Sequence, residues 1–124
     1  MTYNRSPLGL KQPKPKPNPE RVRLIHYTPC VICFAYGFTQ RSPTEAHHCK
    51  SGRYSQAREC DDKAIGLCHG HHNRLKAYPG EENHIGFHNS QEQWEAEYGK
   101  DYDLIQTTNE LILAAQDDAL GKWL

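Results

Sequence analysis

A chain of 124 residues, 36% of them hydrophobic, fits one domain with room for only a small core. Its five cysteines are odd in number and mixed with eight histidines, which favours metal over a disulfide framework and points to a reducing cytoplasm. No apolar run approaches the ~20 residues that span a bilayer, and Met1 to Glu20 lacks the apolar centre of a signal peptide, so membrane and secreted classes are set aside.

The zero net charge hides a division. Through Gly80 thirteen Lys and Arg face five acids, giving +8, and beyond it two face ten, giving −8. Polyanion binding belongs to the first part, where cations can displace counterions from phosphate. At its start, Lys11-Gln-Pro-Lys-Pro-Lys-Pro-Asn-Pro19 alternates prolines that remove backbone donors. Residues 1–20 are therefore expected to form a disordered basic arm that touches a nucleic-acid backbone without reading it.

Regular structure is expected from about Arg21, where Val22, Leu24 and Ile25 read as a short strand or helical turn. It leads into Thr28-Pro-Cys-Val-Ile-Cys33, a Cys-x-x-Cys knuckle in which two thiolates reach one ion at ~2.3 Å. The redox alternative for such a pair wants a βαβ context that the sequence lacks. Cys68-His-Gly-His71 repeats the spacing, so Cys30, Cys33, Cys68 and His71 predict a tetrahedral zinc site clasping the 34 residues between the two pairs. Cys49 and Cys60 compete for those positions but read first as small buried hydrophobes.

Between the pairs, Thr44-Glu-Ala-His-His48 reads as a strand whose end allows its two histidines different tasks. Lys50, Arg53 and Arg58 follow in a glycine- and hydroxyl-bearing loop suited to tracking phosphates. Ala64 to Cys68 is a second strand, and Cys68 to Tyr78 reads as a helix stopped by Pro79-Gly80, carrying Arg74 and Lys76 on the same basic surface. Successive helical residues point ~100° apart, so His71 can face zinc while His72 faces Glu45 to His48. His84 and His88 fall in a glycine-bearing loop, with His84 expected to be exposed and unpartnered. Ser90 to Gln93 spells a capping box for a helix that carries Trp94 and Tyr98 on one face and ends at Gly99. A longer helix, starting at Asp101 or Asp103, carries the stripe Leu104, Ile105, Thr108, Leu111, Ile112 and Ala115, and its acidic outer face would turn DNA toward the basic side.

Taken together, Cys-x-x-Cys, Ala-His-His and Leu-Cys-x-x-His-His are similar to the zinc-containing branch of the HNH, or ββα-metal, endonucleases. More narrowly, the run from Cys30 to Gly37, Ala46-His-His48, Gly66 to His72, Gly86-Phe-His-Asn-Ser90 and Trp94 to Gly99 resembles the phage recombination-enhancement, RecA-dependent nucleases. The likeness covers about residues 28–105. It implies an α+β fold: a small zinc-stabilised ββα-metal (HNH) domain over residues 21–124, with additional C-terminal helices. It further implies a metal-dependent DNA endonuclease of a phage or prophage, working in the bacterial cytoplasm with the RecA filament as partner.

By the same resemblance His47 and His72 hold the catalytic ion, Mg²⁺ or Mn²⁺ with Zn²⁺ also able to occupy the site. His48 is the general base, and His88 is a third metal or phosphate ligand. The middle Asn of the HNH name has no obvious counterpart; Asp61, with Asp62 beside it, stands near its place. The chemistry is coherent without the family. An imidazole, titrating near ~6.5, can take a proton from water, and a divalent ion can neutralise the scissile phosphate. The competing expectation is a noncatalytic zinc module for nucleic acid or protein, with His47 and His48 closing a second structural zinc with Cys49 or Cys60.

Overall fold

Asn18 opens the regular structure. Its Oδ1 accepts from Arg21 N at 3.1 Å, and Pro19 takes the first helical position, where no N–H is needed. Helix α1 therefore spans Pro19–Ile25, starting two residues before Arg21. Asn18 is anchored in turn, donating to Asp61 Oδ2 at 2.8 Å and to Asp62 Oδ1 at 2.5 Å. The computed structural model describes residues 15–52, 60–76 and 78–121, so most of the basic arm, Arg53, Arg58 and the side chain of Lys76 lie outside the described residues.

Helix α2 (Val31–Tyr36) begins on the knuckle: Cys30 is its N-cap and Cys30 Sγ accepts from Cys33 N at 3.5 Å. Gly37, at φ +75°, closes it in the left-handed conformation that glycine adopts without strain. Strand β1 (Glu45–His47) then pairs antiparallel with β2 (Ile65–Leu67), placing Glu45 opposite Leu67, Ala46 opposite Gly66 and His47 opposite Ile65. Gly66 is required by close approach. A Cβ there would stand 2.8 Å from Thr44 Cγ2 and 3.3 Å from Ile25 Cγ2, so glycine lets α1 lie against the sheet.

The helix expected over Cys68 to Tyr78 is much shorter. Helix α3 is the single turn His69–His72, followed by Asn73 in extended backbone and a 3₁₀ turn over Arg74–Lys76. The reason lies in its carbonyls. His71 O accepts from Phe87 N at 2.9 Å and Trp94 Nε1 at 3.1 Å, and His72 O accepts from His88 N at 3.0 Å, so residues 86–90 take the bonds that helix continuation would use.

Helix α4 (Gln91–Tyr98) stacks Trp94 edge-to-face on Tyr98 and Phe87, with ring centroids 5.3 and 5.2 Å apart. The capping box does not form, since the Ser90 side chain makes no cap bond; Gly99 ends the helix as expected. The last helix, α5 (Ile105–Gly121), starts later than Asp101 or Asp103. A 3₁₀ turn over Asp101–Leu104 precedes it, because the Asp101 carboxylate is engaged elsewhere and does not cap. Thr108 and Ile112 of its predicted stripe are buried, Ile112 packing with Ile25 and Ala64. The result is a small mixed fold of a two-stranded sheet and helices. Among the described residues no helix is long and apolar enough to cross a membrane.

One buried carboxylate ties the loop before β1 to α3. Glu81 accepts from Ser42 Oγ at 2.6 Å and from the backbone N–H of Arg41, Ser42 and Gly70 at 2.7, 3.1 and 3.3 Å. Burial works to raise its pKa, but the Ser42 hydroxyl and those three N–H groups outweigh it and hold the group below 4.5. A depressed carboxylate contributes stability above its unfolded pKa and loses it as pH falls through the folded one. Glu81→Gln, which turns an amide NH₂ toward these donors, is expected to cost about 1–3 kcal/mol at pH 7. The gap to the wild type should close as pH drops well below 4.5. Urea unfolding at a series of pH values measures both.

Candidate functional site

Helix α3 serves two clusters at once, because its adjacent imidazoles diverge. His71 turns inward to the knuckle. Its Nδ1 lies 3.7 Å from Cys30 Sγ, 3.7 Å from Cys33 Sγ and 3.3 Å from Cys68 Sγ, and Cys33 and Cys68 Sγ are 3.8 Å apart. Four donors at ~2.3 Å from one ion stand roughly 3.8 Å from each other in a tetrahedron, so these spacings fit a cation such as zinc. All four residues are buried, the closed form of a structural site. Hydrogen bonding from Cys30 and Cys68, then burial, push the Cys33 thiol up; a bound cation reverses that cost by stabilising the thiolate. The far nitrogen of His71, Nε2, has no hydrogen-bond partner, and the ring is instead held flat against His84, with centroids 4.1 Å apart. His84 is thus half-buried and stacked, not the exposed, unpartnered residue expected.

Neither spare cysteine joins a cluster among the described residues. Cys49 is buried and donates to Lys63 O at 3.1 Å, and burial pushes its thiol up to about 12, which keeps it protonated. Cys60 is half-buried in front of a 3₁₀ turn over Asp61–Lys63.

His72 turns the other way, into a second group made with His47 and His88. His72 Nε2 and His88 Nε2 are 3.1 Å apart, and the His47 ring centroid lies 5.1 and 5.5 Å from those of His72 and His88. One donor nitrogen from each ring falls within 4.8 Å of the other two. Exposure rises across the three, from buried His47 through half-buried His72 to exposed His88, so the group has a solvent mouth. Three protein donors with an open side is the arrangement that leaves coordination positions for substrate and water, unlike the sealed tetrahedron behind it. His88 reaches the group through the backbone bond between His88 N and His72 O, while Phe87 packs edge-on against His47 at 4.4 Å.

Carboxylates stand behind these rings. Asp101 Oδ2 is 2.8 Å from His47 Nε2, and Glu45 Oε1 is 2.9 Å from His72 Nδ1 while its Oε2 is 2.9 Å from His69 Nδ1. A carboxylate facing one ring nitrogen fixes the proton there and leaves the lone pair on the other, the pattern of metal-ligating histidines. Burial lowers the pKa of His47 and His72 against those partners, and of His88, which favours the neutral form that binds a metal.

His48, the residue after β1, pairs through Nε2 with Asp61 Oδ1 at 2.8 Å, both side chains partly exposed. The same Asp61 takes the Asn18 N–H, so α1, the 3₁₀ turn at Asp61 and the end of β1 meet at this pair. Of the expected phosphate contacts, Arg74 is exposed near the mouth, its N–H donating to Asn89 Oδ1 at 2.6 Å, and Lys50 is half-buried with its N–H on Asp101. Asp101 escaped the sequence reading: 54 positions separate it from His47, and its local context reads only as a helix start.

No curated protein and no solved structure matches the chain. The pattern of one family, described as recombination enhancement, RecA-dependent nuclease, matches residues 18–113. That span runs from the Asn18 cap to within α5 and takes in both clusters and every carboxylate behind them. The chain belongs to the recombination-enhancement, RecA-dependent nuclease family.

Proposed function

We propose that this nuclease is a metal-dependent DNA endonuclease of the HNH, or ββα-metal, kind, hydrolysing phosphodiester bonds during phage recombination. The observation that carries the reading is the open three-histidine group beside the His48–Asp61 pair. His47, His72 and His88 hold Mg²⁺ or Mn²⁺, with Zn²⁺ an acceptable substitute, and Cys30, Cys33, Cys68 and His71 hold a structural zinc. The catalytic ion, when bound, neutralises charge on the scissile phosphate and the departing oxygen.

The chain's own residues supply the rest. With Asp61 against Nε2, His48 keeps its proton there and presents Nδ1 as a base for water. Asp61 steadies the imidazolium that forms and fixes the ring's direction, the bracing role for which it stood near the middle Asn's place. Lys50 and Arg74, with Arg53, Arg58 and Lys76, contact phosphates and position the strand without selecting sequence. The family description supports a RecA filament as partner.

The first test is cleavage of plasmid DNA with Mg²⁺ or Mn²⁺, with and without RecA filaments. His48→Ala is expected to lower the rate by a factor of ~10²–10⁴ while zinc content and the folded circular-dichroism spectrum stay at wild-type values. If the variant cuts as well as the wild type, His48 is not the base; if it loses zinc or unfolds, the residue is structural.

The zinc assignment makes a separate prediction. Ions of this kind supply on the order of 10 kcal/mol of apparent folding energy. Cys33→Ser is therefore expected to lose bound zinc and the folded circular-dichroism spectrum together, whereas Cys49→Ser should retain zinc. Zinc content by atomic absorption, set beside the spectra, decides it.

A further inference from the structure

Asp101 is buried, lies in the turn ahead of α5, and caps no helix. Its carboxylate accepts three hydrogen bonds. His47 Nε2 and Lys50 N reach Oδ2 at 2.8 and 2.7 Å, and Ser51 N reaches Oδ1 at 3.2 Å. Asp101 N returns a bond to Ser51 Oγ at 3.3 Å. An ionised carboxylate can only accept, so the proton of neutral His47 must sit on Nε2, and the lone pair is left on Nδ1. His47 has no other way to choose its tautomer among the described contacts: its remaining neighbours are the rings of His72, Phe87 and His88.

We infer that Asp101 is a positioning residue for the three-histidine site, holding His47 in the Nε2–H tautomer so that Nδ1 is the donor offered to the ion. The inference rests on the metal reading proposed above. It also assigns a role to the segment after α4, which lies outside the strands and helix that carry the histidines. Because the same carboxylate holds Lys50 and Ser51, the ring and the start of the basic loop are set by one group.

Asp101→Ala separates this from a purely structural role. It removes the oxygen that His47 Nε2 shares with Lys50 N, so nothing holds the proton on Nε2 and the Nδ1–H form becomes populated. Long-range ¹⁵N–¹H correlation spectra of the zinc-loaded, Mg²⁺-free protein are expected to show His47 as Nε2–H in the wild type and a substantial Nδ1–H population in the variant. Calorimetric titration of the same samples with Mn²⁺ is expected to show a 10- to 100-fold weaker second site in the variant.

Ser51→Ala removes the returning bond without touching the carboxylate, and should keep both the tautomer and the Mn²⁺ affinity. Nδ1–H in the wild type, an unchanged tautomer and affinity in Asp101→Ala, or an equal loss in Ser51→Ala would each overturn the proposal. Should Asp101→Ala fail to fold, the wild-type tautomer and the Ser51→Ala titration still decide. None of these readouts needs DNA cleavage, so an inactive wild type that shows the expected tautomer and affinities would count against the endonuclease reading alone.

Discussion

Three thiols and an imidazole gathered within 3.3–3.8 Å in a buried pocket gain little as neutral groups, and become a strong set only around a cation. Among the described residues little else has comparable strength. A sheet of two three-residue strands is not stable alone, and the buried apolar side chains among the described residues are few. Joining the α2 knuckle to α3 closes a long loop whose ordering entropy local packing could not repay. Trp94, which donates to His71 O while packing on Phe87 and Tyr98, is the apolar counterpart of that clasp.

That clasp also aims the candidate catalytic group. Once His71 is directed at the thiols, the stagger of one helical turn sends His72 outward to Glu45 and His88. Strand β1 then serves both ends of the arrangement: Glu45 meets His72 and His69, His47 joins the group, and His48 turns to Asp61. A small rotation of α3 would therefore disturb both clusters together, which gives a physical reason for stability and competence to be linked in this molecule.

What could be read from the sequence divides along contact distance. Cys30 with Cys33 and Cys68 with His71 are local pairs three residues apart, and short spacing carries the geometry with it. Strand β2 was legible as a short apolar run, and the Thr108 and Ile112 face because helical periodicity is local as well. Asp101 on His47 was not legible, and the early stop of α3 was not, since both depend on chain segments that meet only after folding. His84 misled for the same reason: a lone histidine in a glycine-bearing loop carries no sign that it will stack on His71. The capping box at Ser90 shows the reverse failure, a correct local pattern left unused while residues 86–90 are committed to α3.

The early end of α3 explains the origin of the third imidazole. A helix continued past His72 would set Lys76 one turn above it, a cation pointed at the place an ion should occupy. Ending at Asn73 frees His71 O and His72 O to pair with the 86–90 segment, and that pairing delivers His88 in place of a lysine. The substitution matters electrostatically. Three rings face the mouth while Glu45 and Asp101 stand one layer back, so a divalent charge held there would be balanced through the imidazoles without a carboxylate occupying the open side. A phosphate arriving at such a loaded group would meet cation and neutral donors, not a wall of like charge, which is the condition an anionic substrate imposes on any ion-bearing site.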